Sequence, residues 1–494
     1  MRRKWAGGAA ALASALVAVL AAAEAFARVG GGGGYSSGGG GGDGGGGDAG
    51  LIFGLVRLLL WLVFRHPLIG IPVAIIVVIV VLNMAKSGAL QRSVRENPQV
   101  FPQAAPLRGG AANLTPVRST DPYFSEPVFV DFAQLVFARA HEMRGTGRRE
   151  PLLAWMAPEA IEKLFADRAG LESVGEVIFG ATRIVQAATE AGFVRLDVAF
   201  EANVTEVRAG VRSQVVCAET WSFRRKVGVR SSVPARMRAL GCAGCGSTLE
   251  PKTDGSCPSC GQARLGGLSQ WEVRGIPFAN RRPLTPPELD LDEGGGIERG
   301  TELPTVTDSR LSATKRAFEG RHPDHAWPAF EARVTTAFLA LQQAWSRREW
   351  EQARAFETEA LFQMHRFWME RYAAFGLVNR VEQVAVTRVA LSKIELDAFY
   401  ESITVRIFAQ ALDWTEDSAG KVVGGSKTTA RRFTEYWTFL RAIPGSVELA
   451  TSCPSCGAAL PAGGGSIVCA SCGGRLVGDA PDWVASRIEQ DDAY

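Results

Sequence analysis

The chain has little net charge, little histidine and no nucleotide-binding loop, and each shortage removes a class of function. Lysine plus arginine total 54 and aspartate plus glutamate 51, a net charge of +3, so no global imbalance points to nucleic acid. Only five histidines occur. His66 falls in an apolar run, His322 and His325 precede a helical stripe, and His141 and His365 lie on helices, so an acid–base dyad would need a helical histidine to reach a sheet face. The glycines from Gly30 to Gly50 follow no strand and lead to no Gly-Lys-Ser/Thr, which excludes a phosphate-cradling loop. Gly424-Gly425-Ser426-Lys427-Thr428 lacks that spacing too and reads as a hairpin end. Cysteine is scarce, yet eight of the nine fall into four C-x-x-C pairs, a grouping that favours metal thiolates over a disulfide framework. The ninth, Cys217, reads as a small buried hydrophobe.

What is present is a stretch that occurs twice. Glu219-Thr220-Trp221-Ser222-Phe223 is followed by Cys242, Cys245, Cys257 and Cys260 and then by Trp271. Glu435-Tyr436-Trp437-Thr438-Phe439 is followed by Cys453, Cys456, Cys469 and Cys472 and then by Trp483. The step from the last cysteine to the closing tryptophan is the same in both copies. A register kept that closely predicts a duplicated domain, and 494 residues, 47% of them hydrophobic, exceed one ordinary core.

The amino terminus reads as a series of targeting and anchoring segments. Met1-Arg2-Arg3-Lys4, an apolar run from Ala9 to Ala23 and Ala25-Phe26-Ala27 have the form of a secretory signal peptide over 1–27. Residues 28–50 form a glycine-rich tether. Residues 51–85 hold an interfacial helix from Leu51 to Phe64, which carries Arg57, and a transmembrane helix from Leu68 to Met84. Cleavage leaves the new terminus outside, and a single span then carries the rest to the cytoplasmic face of a bacterial inner membrane. Lys86, Arg92 and Arg95 agree with that placement, as do thiol pairs kept available by a reducing compartment. Were both apolar runs to cross as a hairpin, the rest of the protein would face the other side. A linker over 86–122 spaces the folded part from the bilayer.

Two α+β repeats are expected, over 123–276 and 308–494, joined by a linker over 277–307. Phe129, Phe132, Ala133, Val136, Phe137 and Ala140 make an amphipathic helical stripe, and Pro158 to Asp167 a second short helix. Alternation over Val194–Val204 and Gln214–Lys226 then predicts half-buried strands. The second repeat follows the same order. Trp327, Phe330, Val334, Phe338, Leu341 and Trp345 form a stripe, Trp350–Ala374 is helical, and strands run over Arg380–Leu391, Phe399–Trp414 and Lys427–Leu440. Helices first and an antiparallel sheet afterwards define an α+β fold.

Several of these residues resemble a known family. The Arg65-His66-Pro67-Leu68-Ile69-Gly70-Ile71-Pro72 entry to a span, Ser346-Arg347-Arg348-Glu349-Trp350, and Phe433-x-Glu435-x-Trp437-x-Phe439-x-Arg441 look like bacterial members of the Tim44-like family. That family is named for a matrix-side subunit of the mitochondrial inner-membrane presequence translocase and includes a mitochondrial large-ribosomal-subunit protein. The likeness covers the amino-terminal layout and 308–445, and over 123–276 it rests on Glu219-x-Trp221-x-Phe223-Arg224. It implies two cone-shaped domains similar to nuclear transport factor two, with helices over a curved antiparallel sheet. It also implies a non-enzymatic role in membrane attachment and partner binding, with no catalytic residues. The two copies and their cysteine insertions depart from the family pattern.

Cys242, Cys245, Cys257 and Cys260 (ribbon 240–262) and Cys453, Cys456, Cys469 and Cys472 (ribbon 451–474) are the candidate ligands of two structural Zn2+ sites. Two-residue spacing lets both sulfurs of a tight knuckle reach one ion, and Gly246, Gly261, Gly457 and Gly473 supply the turns. Four thiolates leave no open position for water, so no metal catalysis is assigned, and iron is the competing ion. Glu219 and Glu435 share parity with their tryptophans and point to the apolar face, either paired with an arginine or with backbone amides inside the sheet, or serving as a general base. The basic run Arg224, Arg225, Lys226, Arg230, Arg236, Arg238 reads as solvated surface, as an anionic-lipid contact, or as an RNA contact without the interleaved aromatics that single-strand binders use. The reading reached is a single-span membrane scaffold for protein partners. The alternatives are a membrane-bound enzyme working at Glu435 and a ribosome or RNA tether.

Overall fold

The structure, a computed structural model, describes residues 28–29, 112–234, most of 237–284, 296–298, 300–443 and 482–491, with a few isolated residues besides. These fall in one compact unit that takes in 1–39 and 107–494; the other unit, 40–106, lies outside the described residues. The expected signal peptide, both membrane helices and all four cysteines of the second module also lie outside them. Among the described residues no helix is long and apolar enough to cross a membrane.

Each half begins with helices. A short helix α1 (Thr115–Arg118) precedes α2 (Glu126–Thr146) and α3 (Pro158–Phe165). The second half has α4 (Leu311–Arg321), α5 (Trp327–Arg347) and α6 (Glu359–Ala374). α2 and α5 are both 21 residues long, both carry proline at their start, where its missing N–H costs nothing, and both end on a left-handed residue, Gly147 or Arg348. The stripe residues Phe129, Phe132, Ala133, Val136, Phe137 and Ala140 are all buried, as are Phe330, Val334, Phe338, Leu341 and Trp345. A 3₁₀ turn follows each long helix, at Glu150–Ala154 and Trp350–Ala355.

Antiparallel strands complete each half. β1 (Leu171–Glu190), β2 (Phe193–Arg208), β3 (Val211–Lys226) and β4 (Glu272–Pro283) lie in the order β1-β2-β3-β4. In the second sheet β6 (Leu377–Leu396), β7 (Tyr400–Asp417) and β8 (Val422–Ala442) pair in series, β9 (Val484–Gln490) pairs antiparallel with β8, and the two-residue β5 (Gly296–Ile297) pairs parallel with it. Trp271 and Trp483 each immediately precede the closing strand, so each cysteine segment interrupts a sheet that the chain then rejoins. The correspondence extends to isolated bridges, Met156 with Val273 and Glu357 with Ala485. The fold is mixed α+β with antiparallel sheets.

Some elements differ from expectation for physical reasons. β1 does not alternate, because three or more bulges and a left-handed Glu176 (φ 48°) repeatedly switch its faces. Only Phe318 of α4 is buried, so that helix leaves no stripe to read. The expected linker over 277–307 is partly strand: β4 runs on to Pro283 and β5 lies against β8. The expected tether also begins inside a core, since Arg28 and Val29 are buried in the second half.

Gly424–Lys427 belongs to β8, where Gly424–Ser426 pair in register with β7 between two register shifts. Gly425 has φ 73°, and a Cβ there would stand 2.2 Å from the Asp413 carbonyl oxygen. Gly425→Ala is therefore expected to cost at least ~2 kcal/mol, read as a lower urea midpoint with an unchanged slope. An unaffected midpoint would show that the bulge relaxes freely.

Candidate functional site

The first cysteine module brings its four thiols together. Cys242 Sγ lies 3.8 Å from Cys260 Sγ and Cys245 Sγ 3.7 Å from Cys257 Sγ, and all four sulfurs fall within 4.8 Å of one another. Each knuckle is closed by backbone hydrogen bonds: the Cys242 amide donates to the Ser247 carbonyl and the Cys257 amide to that of Gln262, both at 2.9 Å. Gly261 takes the left-handed conformation, φ 71°. A tetrahedron of thiolates about an ion at ~2.3 Å has edges of ~3.8 Å, so the spacing fits a metal centre. Backbone amides of Cys260 and Ser259 donating to Cys257 bring that thiol down to about 6, while its partner Cys260 is pushed up to about 11 by the neighbouring thiols.

The two strand glutamates are built alike. In Glu-x-Trp both side chains project from the same face of the strand, and the indole N–H donates to the carboxylate: Trp221 Nε1 to Glu219 and Trp437 Nε1 to Glu435, each at 2.8 Å. Both carboxylates are buried. A phenylalanine from the long helix covers each tryptophan, Phe137 at 5.0 Å and Phe338 at 5.2 Å between ring centroids.

Their counter-charges differ. Arg281 of β4 donates from Nε to Glu219 Oε1 at 2.7 Å, and His141 Nε2 lies 3.3 Å from the same oxygen. Burial opposes ionisation of both partners. It draws His141 below the ordinary histidine range, whereas Glu219, against its own burial, falls to about 2 under its histidine, arginine and indole neighbours. Glu435 instead faces Arg28, whose Nη2 lies 3.4 Å from Glu435 Oε1 and 2.7 Å from Glu298 Oε2, while Nη1 lies 3.4 Å from Asp413 Oδ2. Burial pushes Glu435 up to about 7 despite the guanidinium, with Glu298 adding to the rise.

The histidines behave unlike their sequence reading. His141 does reach the sheet face, His365 Nδ1 lies 2.9 Å from Glu357 Oε2 and His322 Nε2 2.7 Å from Glu401 Oε1. α2, packed across the sheet, brings His141 to a strand carboxylate, which periodicity alone does not show. The His141–Glu219 pair is fully buried, with no exposed side-chain surface on either residue. That arrangement suits structural pairing better than general-base chemistry.

The basic run needs a larger correction. Arg225 is buried and ion-paired with Asp121 at 2.7 Å, and Arg224 is tied to Glu272 at 3.0 Å. Arg225 is thus withdrawn from any lipid headgroup, whereas Arg224 keeps 29% of its side chain exposed. Lys226 and Arg230 are exposed, while Arg236 and Arg238 lie outside the described residues. Asp121 and Glu272 come from distant parts of the sequence, so the pairing left no local signal.

Residues 311–448 match the family model of the Tim44-like domain. A solved structure described as "Ntf2 like protein involved in plasmid conjugation" aligns with 74% of this chain and 94% of its own, at 10% identity and a TM-score of 0.15, which is too low to support an argument. No curated protein matches the chain.

Proposed function

We propose, from the Tim44-like domain at residues 311–448, that this protein is a membrane-anchored, non-enzymatic scaffold that binds protein partners through two α+β domains. The family match carries the reading. The shared order of helix, 3₁₀ turn, helix, sheet and closing strand supports a duplication, with boundaries near 123–276 and 308–494. Membrane attachment rests on the apolar runs of 51–85. Enzymatic use of Glu435 is disfavoured because Arg28 fills the space beside it. RNA tethering is disfavoured because Arg224 and Arg225 already have carboxylate partners.

Chemical cross-linking in native membranes, followed by purification of the full chain, tests this reading. A reproducible set of membrane or assembly proteins, lost when residues 308–494 are deleted, is expected. Recovery of the chain alone, together with a turnover abolished by Glu435→Gln in folded protein, would favour the enzyme.

Zinc is the ion that best suits the four-thiolate geometry at Cys242, Cys245, Cys257 and Cys260, with a second equivalent at Cys453, Cys456, Cys469 and Cys472. It would brace a projecting hairpin and perform no chemistry. Purified protein is expected to hold two zinc ions by elemental analysis, and Cys242→Ser/Cys257→Ser protein one, with partner recovery through the second domain retained. Unchanged zinc content in the variant, or iron in place of zinc, would refute the assignment.

A further inference from the structure

We propose that the interior of the second domain is a receptor for an arginine side chain on an extended peptide, and that the chain's own Arg28 occupies it in cis. Arg28 has no exposed side-chain surface. Its guanidinium lies 3.6 Å above the centroid of the Phe433 ring and faces Glu298, Asp413 and Glu435. Burial works against the charge, but these carboxylates outweigh it and push the guanidinium above its ordinary pKa. Val29 continues into the same core, and its carbonyl accepts a hydrogen bond from Gln342 Nε2 at 3.0 Å. The contact is therefore with a side chain and with the peptide backbone that follows it.

Comparison of the two halves explains why the site is open to a guest. In the first half Arg281 pairs across the sheet with Cys217, two residues before Glu219, and closes the carboxylate internally. In the second half Glu435 pairs with Gln490, the last residue of β9, and among the described residues that closing strand offers it no arginine, so Arg28 supplies the charge. The helix position of His141, the sixteenth residue of α2, is taken in α5 by Gln342, which offers an amide suited to a peptide backbone. Gln342 Oε1 is buried and accepts no hydrogen bond among the described residues, leaving room for a further backbone donor.

The remaining geometry selects guanidinium over ammonium. A planar fork can stack on Phe433 and still reach carboxylates on several strands, which a compact ammonium cannot do at once. Asn379 Nδ2 donates to Asp413 Oδ1 at 2.8 Å and holds that carboxylate in place from β6. Arg28 lies 385 residues from Asp413 in the sequence, so it acts as a tethered ligand with which a guest peptide can compete. This deepens the reading of the second domain as a partner-binding module by naming the feature of the partner it recognises.

The test uses the full chain in detergent and a fluorescent peptide, Arg-Val-Gly-Gly-Gly-Gly, which copies residues 28–33. Arg28→Ala protein is expected to bind it about tenfold more tightly than the unaltered chain. Replacing the peptide's arginine by lysine, or adding Glu298→Gln to the protein, should each weaken binding by about tenfold. Equal binding by both proteins, or by both peptides, would overturn the proposal, and free L-arginine binding as tightly as the peptide would overturn its peptide part. If Arg28→Ala protein fails to fold, a photo-cross-linker at Val29 in the otherwise unaltered chain decides. Products at 338–342 or 433–437 support self-occupancy, and products confined elsewhere refute it. This second readout concerns the pocket alone and holds whatever partners the cross-linking of native membranes recovers.

Discussion

Glu219→Gln is expected to destabilise the protein by about 3–5 kcal/mol, because it strips a buried guanidinium of its counter-charge while leaving the space filled. Arg281 has 11% of its side chain exposed and Glu219 none, so water can do little to compensate. Arg281→Met alone should cost a similar amount by stranding the carboxylate. The double variant should recover much of either loss, since two neutral side chains of similar volume remove the charges together. Urea unfolding of the four proteins, followed by tryptophan fluorescence, gives the coupling. Strict additivity of the single losses would mean that the pair contributes nothing beyond its separate parts.

The equivalent Glu435→Gln is expected to behave differently, leaving the stability at pH 7 unchanged or raising it. Glu435 shares one arginine with Glu298 and Asp413, and its carboxyl is raised to about 7, so at that pH it is already half protonated. The signs of the two pH dependences follow from the two shifts. The raised Glu435 contributes stability that is present below its ordinary value of 4.5 and is lost as pH rises through about 7. The depressed Glu219 contributes stability that is present above 4.5 and is lost as pH falls toward about 2. Glu435 should therefore contribute a decline in stability between pH 4.5 and 7, and Glu435→Gln should remove that contribution. Parallel curves for the two proteins would show that Glu435 does not titrate in that range.

Much of this was legible in the sequence because it is local. The stripes of α2 and α5, the parity of Glu219 with Trp221 and Phe223, and the closing tryptophans all follow from the 3.6- and 2-residue periods and from the duplication. The pairing of Glu219 with an arginine was one of three readings, beside backbone amides and a general base, and the structure supports it. What escaped was non-local or irregular. Arg281 lies 62 residues from Glu219, Arg28 lies 385 residues from Asp413, and Asp121 lies 104 residues before the Arg225 it neutralises. β1 escaped because its bulges erase the alternation that marks a strand. The first thiol cluster was recognisable because C-x-x-C spacing is itself a statement about geometry.

The position of Arg28 also constrains how the chain meets the membrane, with an all-or-none consequence. Signal cleavage after Ala27, one span and cytoplasmic domains would put Arg28 and Glu435 on opposite faces of the bilayer. A guanidinium 3.4 Å from Glu435 and 2.7 Å from Glu298 requires them on the same face. The three topological expectations therefore cannot all hold while this contact exists. While this contact holds, any membrane-inserted form needs an even number of crossings between residues 29 and 112, a count that the hairpin reading of the runs Leu51–Phe64 and Leu68–Met84 would meet. Ser36→Cys, in the glycine-rich stretch, and Val211→Cys, 66% exposed in the first half, report the two faces. Treatment of intact cells with an impermeant maleimide, with labelled sites located by mass spectrometry, is expected to modify both cysteines or neither. Modification of Ser36→Cys with protection of Val211→Cys would establish a single crossing, and Arg28 could not then occupy the second domain in the membrane-inserted protein.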